Sequence, residues 1–118
     1  MSHYDRTFTI TAGTEACTFL DIDADTLAAQ AHEIFITDGY RVSGQEGTVT
    51  IYEKGSRLKR LLLGALVHYF KIGVSLRLDA NGEVVVTLQN KLGESGGSVA
   101  RKKIQKEHRR LIALLQTL

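Results

Sequence analysis

The stretch TVTIYEKGSRLKRLLLGALVHYFKIGVSLRLDANGEVVVTLQNKL, residues 48–92, decides the fold of this chain. Within it, residues 71–79 alternate strictly between apolar and other side chains, which is typical of a strand with one buried face. Asn81-Gly82 follows and supplies the positive φ angle that a tight hairpin needs. Residues 83–89 are predicted to return as the partner strand. The side chains expected on the shared buried face are Ile72, Val74, Leu76, Leu78, Val84, Val86 and Leu88.

Residues 48–54 predict a third strand before this hairpin, with Val49 and Ile51 on its buried face. The basic and leucine-rich run that follows, residues 57–70, fits two alternatives. At helical spacing its leucines form one stripe, whereas as extended chain it prolongs the flanking strands. Its uninterrupted apolar part, residues 61–67, is far shorter than the roughly 20 residues that span a bilayer. The sequence therefore leaves helix, strand and loop open for this run.

The same run carries a hypothetical surface anchor. Cations flank its apolar centre, so it is either an ordinary core element or an exposed contact for an anionic membrane or a second copy of the chain. We expect it to be shielded, partly by a partner subunit in a homo-oligomer, because an exposed apolar run invites aggregation. The residues of the hypothetical anchor are Arg57, Lys59, Arg60, Leu62, Leu63, Leu66 and Phe70.

Length and composition predict one soluble domain over residues 1–118. A chain of 118 residues, 43% of them hydrophobic, can bury a core without metals or disulfides. Cys17 is the lone cysteine, and its place in a predicted strand indicates a buried thiol. The opening residues, MSHYDRTFTI, lack the apolar run of a secretory signal, so we expect a cytoplasmic location.

The net charge of +2 hides an asymmetry between the two halves of the chain. Residues 1–53 carry nine acids and two bases, whereas residues 54–118 carry four acids and thirteen bases. In one small domain these halves fold against each other, so part of the asymmetry is internal complementarity. The remainder predicts a dipole that orients the protein toward an anionic partner.

The N-terminal part predicts two strands and a helix. Residues 6–11 and 15–22 are rich in β-branched and aromatic side chains, as strands are. Either Asp23 or Asp25 can cap a helix that runs to about Asp38, and Gly39 is expected to end it in the left-handed conformation. Leu27, Ala31, Ile34 and Phe35 are its predicted buried stripe. Residues 40–43 then begin the next strand.

A long amphipathic helix, starting at Ser95 or Ser98, closes the chain. Its expected buried stripe is Ala100, Ile104, Leu111, Leu115 and Leu118, and its expected outer cations are Lys102, Lys106 and Arg109. The order of elements predicts an α+β fold, with an antiparallel sheet of about five to six strands and both helices packed on one face. In layout this order resembles helix-grip domains, the START and pollen-allergen type, and the repeated unit of TATA-binding proteins. The resemblance is one of element order alone and implies no site residues.

This layout predicts an apolar groove between the long C-terminal helix and the sheet. The groove is a hypothetical site for a hydrophobic small molecule or a partner protein segment, and a packed core without ligand is the alternative. Its predicted lining is Ile72, Val74, Leu76, Val84, Val86, Ile104, His108 and Leu111, with residues 58–70 at its mouth.

Other chemistries find less support in the sequence. The histidines His3, His32, His68 and His108 lack the spacing of metal ligands, so we expect no metal and no cofactor. On the open face of the predicted sheet, Tyr52 is the one aromatic, whereas sheet-based RNA readers use several. The expected function is a small non-enzymatic binding or accessory domain. The alternative is an electrostatic module that docks on anionic membrane or nucleic acid through the basic C-terminal half.

Overall fold

The computed structural model describes residues 3–55, 69–92 and 97–118, with the backbone alone for residues 97–100. The described elements are β1 (Tyr4–Thr11), β2 (Thr14–Phe19), α1 (Ala24–Thr37), β3 (Arg41–Glu46), β4 (Val49–Lys54), β5 (Phe70–Leu78), β6 (Val84–Asn90) and α2 (Gly97–Leu115). They form the predicted α+β fold, a six-stranded antiparallel sheet with two helices.

The strands lie in the order β1-β2-β6-β5-β4-β3, and each neighbouring pair is antiparallel. The β5–β6 hairpin therefore occupies the centre of the sheet, as the alternation of residues 71–89 predicts. In its turn Gly82 has a φ of 80°, the left-handed conformation that glycine adopts without strain. Asp79 Oδ1 accepts hydrogen bonds from the backbone N–H groups of Asn81 and Glu83, which fixes the turn.

Both helices pack against the same face of the sheet. The strand register places Cys17 opposite Val86 and Leu88 opposite Val74, and all four belong to one buried cluster. Burying each large apolar side chain of this kind contributes about 1.5–3 kcal/mol. The helices supply the remaining wall of the cluster with Leu27, Ala31 and Phe35 from α1 and Leu111, Ile112 and Leu115 from α2.

The start and end of α1 follow the predicted capping. The Asp23 carboxylate accepts a hydrogen bond from the Thr26 N–H at 2.8 Å, which satisfies one of the unpaired amides of the first turn. Gly39 follows the helix with a φ of 101°. The chain can then turn sharply, so that Tyr40 is buried at the beginning of β3.

The predicted orientation of β4 is wrong. Tyr52 pairs with Ile72, so it faces the helices together with Thr50, while Val49 and Ile51 point to the opposite face. The Tyr52 ring packs against Phe35 at a centroid distance of 4.8 Å, which gives this tyrosine more apolar contact on the helix side. The alternation of side chains along β4 could not reveal this orientation, because apolar atoms are buried whichever set of alternate residues faces the helices.

The face of the sheet opposite the helices also contains buried side chains. Ala16, Thr18, Ile51 and Val85 are at most 5% exposed, although they point away from the helix-covered face.

The prediction that Leu78 is buried is wrong, since it is 66% exposed. The pairing of β4 with β5 ends at Val74, so Leu78 has a neighbouring strand on the β6 side only.

The closing helix has the predicted phase. Leu111 and Leu115 are fully buried, and Lys102, Lys106 and Arg109 are exposed. Among the described residues no helix is long and apolar enough to cross a membrane. The predicted caps Ser95 and Ser98, the Ala100 side chain, and the anchor residues Arg57, Lys59, Arg60, Leu62, Leu63 and Leu66 lie outside what is described.

Candidate functional site

A cavity of about 420 Å³ lies between helix α1 and strands β3, β4 and β5. We call it the α1 cavity. Its volume falls within the roughly 300–1,000 Å³ that is typical of small-molecule sites. Its lining consists of Ala28, Ala29, Ala31, His32, Phe35, Val42, Gln45, Thr50, Tyr52, Val74 and Leu76.

Small side chains on α1 account for the space. Ala28, Ala29 and Ala31 present only methyl groups where longer side chains would reach the sheet. Opposite them, the Tyr52 ring packs against Phe35, with 49° between the two ring planes. On the edge strand, Val42 is 49% exposed and borders the cavity. The walls are therefore mainly apolar.

Two polar pairs line the otherwise apolar walls. The Tyr52 hydroxyl and His32 Nδ1 form a hydrogen bond of 2.8 Å between the sheet and α1. Burial raises the pKa of Tyr52, so its hydroxyl stays protonated. The second pair lies toward the sheet edge, where Thr50 Oγ1 donates to Gln45 Oε1 at 3.0 Å. A ligand in the cavity would thus meet apolar carbon and a few fixed hydrogen-bonding groups.

The sequence-predicted groove residues take a different place. Five of the eight belong to the buried core cluster, Leu76 is half-buried against it, and Ile104 is half-buried. The five are Ile72, Val74, Val84, Val86 and Leu111. His108 is fully buried. Only Val74 and Leu76 of the eight also line the α1 cavity. The described cavity therefore lies under the short helix, whereas the hypothetical groove was placed under the long one.

His108 forms a buried pair with Glu15 across the interface of α2 and β2. Its Nδ1 donates to the Glu15 carboxylate, and both side chains are only 1% exposed. Burial lowers the pKa of His108, and this effect outweighs the hydrogen bond that His108 donates to Glu15, which acts in the other direction. Among the described residues, Nε2 of His108 has no hydrogen-bond partner. His108 is thus a core residue whose hydrogen-bond partner is Glu15 of β2.

A second polar cluster joins α2 to the end of α1. Arg110 donates to both carboxylate oxygens of Asp38 and to both of Glu107, at 2.6 to 2.9 Å. Tyr40 also donates to Glu107. Burial raises the pKa of Glu107, but the hydrogen bonds from Arg110 and Tyr40 outweigh it and hold the pKa below its ordinary value. The cluster fixes the guanidinium of Arg110 in one orientation.

Sequence reasoning missed most of these residues. Helical spacing alone places His32 on the outer side of α1, whereas the side chain is half-buried, because its Nδ1 is hydrogen-bonded to the Tyr52 hydroxyl on the sheet. The run of alanines in α1 was the one available signal, since it permits close approach or leaves a gap. Glu15 gave none, because a glutamate in a strand is ordinarily placed on the exposed face.

In the described part of the chain, no group of three His, Cys, Asp or Glu side chains is positioned to hold a metal ion. Comparison of the chain with protein-family models, with curated proteins and with solved structures finds no match in any of the three.

Proposed function

We propose that this chain is a small, non-enzymatic binding domain that holds a hydrophobic small molecule in the α1 cavity. The observation that carries the proposal is the cavity itself, about 420 Å³ beneath the alanines of α1. Apolar walls with a few placed polar groups are the usual composition of a small-molecule site. The volume favours a compact ligand over a protein segment.

The polar pairs define one feature of that ligand. The Tyr52 hydroxyl and His32 Nδ1 share a hydrogen bond at one side of the cavity. A ligand hydroxyl or carbonyl placed there would exchange hydrogen bonds with the same groups, whereas a fully apolar ligand would leave them bonded to each other. We therefore expect a mainly apolar ligand with one neutral polar group.

The reactive side chains elsewhere support a binding role over catalysis. Burial raises the pKa of Cys17 to about 12, so the thiol stays protonated and unreactive. The Glu15–His108 pair is sealed between α2 and β2 and lines none of the described cavities. Neither group is placed to meet a substrate in the α1 cavity.

The test is binding of N-phenyl-1-naphthylamine, a neutral apolar probe that fluoresces in dry cavities. We expect saturable binding that added salt changes little, since no charged group is required. Ala28→Leu should weaken it at least tenfold, because the larger side chain fills the space below α1. Ala113→Leu is the matched control, with the same substitution at an exposed helical position of α2 outside the cavity. It should change the Kd less than twofold.

Two results would overturn the proposal. One is the absence of saturable binding. The other is equal weakening by Ala28→Leu and Ala113→Leu, with circular dichroism confirming that both variants are folded, since this would place the probe outside the α1 cavity.

A further inference from the structure

A second concave site shares no lining residue with the α1 cavity. It has a volume of about 600 Å³ and lies between α2 and the ends of β4 and β5. We call it the basic cleft. Its described lining consists of Lys54, Phe70, Lys103, Lys106, Glu107 and Arg110.

Helix α2 supplies four of the six described lining residues. Lys103, Lys106 and Arg110 are three and four residues apart, so they lie along one side of the helix. Lys54 approaches from the end of β4, with its Nζ 5.4 Å from the centre of the Tyr40 ring. Cations from two elements distant in sequence are thus brought to one concavity.

Two carboxylates balance part of this charge. Asp38 pairs with Lys54 at 3.1 Å and with Arg110 at 2.6 Å, and Glu107 pairs with Arg110 at 2.8 Å. Among the described residues, Lys54 and Arg110 are therefore paired with carboxylates. Lys106 is exposed and forms no ion pair within the described part of the chain.

Arg110 is held ready for an anion. Four of its hydrogen bonds go to Asp38 and Glu107. A guanidinium has five N–H donors, so one has no partner among the described residues. Because the carboxylates already fix the side chain, binding through this donor would cost little additional side-chain entropy.

We propose that the basic cleft binds a small organic phosphate monoester. A phosphate monoester carries roughly 1.5 to 2 negative charges near pH 7, which the cations lining the cleft attract. Proteins bind phosphate through lysine ammonium groups and arginine N–H donors, and the cleft offers Lys106 and the remaining N–H of Arg110. Phe70 supplies an apolar wall for the organic part of the ligand, and the volume exceeds what an inorganic ion needs.

The concave shape favours this ligand over a phosphate-bearing macromolecule. A flat anionic membrane would contact the outermost side chains of α2 equally, including Arg109, which is exposed but does not line the cleft. A nucleic acid backbone would likewise reach Arg109. Selective use of Lys106 over Arg109 thus separates a cleft ligand from a general attraction to polyanions.

The experiment is titration of the protein with phenyl phosphate, followed by two-dimensional NMR. Inorganic phosphate and phenol serve as the comparison probes. We expect phenyl phosphate to bind more tightly than either, with shifts at the cleft residues. Lys106→Glu should weaken binding at least tenfold, and Arg109→Glu, which changes the net charge equally, less than twofold. Lys106→Gln should give an intermediate loss. This variant is the control in case the reversed charge of Lys106→Glu impairs folding.

Several results would overturn the inference. If phenyl phosphate does not bind saturably, or binds no more tightly than inorganic phosphate, the cleft is not a site for a phosphate monoester. Equal losses from Lys106→Glu and Arg109→Glu would indicate diffuse attraction. Anionic phospholipid vesicles or a single-stranded oligonucleotide could instead bind more tightly than phenyl phosphate, with Lys106→Glu and Arg109→Glu equally affected. That result would indicate that the basic surface binds a macromolecular partner. None of these outcomes depends on the α1 cavity, so each proposal can fail alone.

Discussion

Glu15 and His108 are the two residues whose placement departs most from their ordinary environment. Both are charged or titratable, and both are sealed inside the protein. Burial of a carboxylate is unfavourable unless it is paired, and the imidazole N–H provides that pair. The pair ties β2 to α2 across 93 positions of sequence.

The pair predicts a pH dependence of stability. Burial, the larger cause, holds the pKa of His108 below its ordinary value. The unfolded chain takes up this proton near pH 6.5, whereas the folded state resists it. The contribution is therefore fully present above that pH and is lost as the pH falls toward the folded-state pKa. We expect the free energy of unfolding in urea to fall from about pH 7 to about pH 5.

The variant that tests this is His108→Gln, because glutamine still offers an N–H to Glu15 but does not titrate. It should show a smaller decrease over the same pH range. His3→Gln, at an exposed hydrogen bond with the Leu20 carbonyl, serves as the control and should retain the parent slope. An unchanged slope in His108→Gln would show that another group carries the pH dependence.

At the scale of single elements, α2 divides its surface between core packing and charge. Leu111, Ile112 and Leu115 are buried in the core cluster, whereas Lys102, Lys106 and Arg109 are exposed on its outer side. A helix with this division derives its stability from packing of the apolar stripe, since isolated helices are marginal in water.

This division predicts unequal effects of alanine substitution along α2. Leu111→Ala should lower the free energy of unfolding by roughly 2–5 kcal/mol, because it removes a fully buried side chain and leaves a cavity. Lys106→Ala should change it by less than about 0.5 kcal/mol, since the side chain is exposed. Chemical denaturation of both variants measures the difference, and equal effects would contradict the observed phase of the helix.

At the scale of the whole molecule, the charge asymmetry of the sequence is partly internal. Acids of the first half pair with bases of the second in Asp38–Lys54, Asp38–Arg110 and Glu46–Lys91. Exposed pairs of this kind contribute at most about 1 kcal/mol each, so their main effect is to orient the halves and reduce repulsion. The cations of the basic cleft and of the outer side of α2 contribute to the remaining surplus.

The apolar run of residues 57–70 carries the prediction about association. We expect its leucines to be shielded, partly by a second copy of the chain. Leu62→Asp should then lower the thermal stability or dissociate the oligomer, because a carboxylate in an apolar contact is strongly unfavourable. Differential scanning calorimetry and sedimentation velocity on the same samples measure the two effects. A stable, monomeric variant from a monomeric parent, with unchanged vesicle binding, would contradict both the core and the anchor alternatives.

The sequence alone determined the elements whose signal is local. Alternation over residues 71–89 and the Asn81-Gly82 turn set the central hairpin, since strand period and turn chemistry act over a few residues. In the same way, Gly39 determined the end of α1, and the two aspartates Asp23 and Asp25 determined its start to within two residues. The apolar stripe around Leu111 determined the phase of α2, because a helix repeats every 3.6 residues.

Tertiary structure decided what depends on contacts between distant residues. Whether Tyr52 or Ile51 faced the helices depended on Phe35 and His32, which lie 17 and 20 positions away. The partner of His108 was settled by the strand that α2 covers, and the α1 cavity by the way α1 packs over strands β3, β4 and β5. No local pattern encodes these arrangements, because each is a compromise among side chains that meet only when the chain has folded.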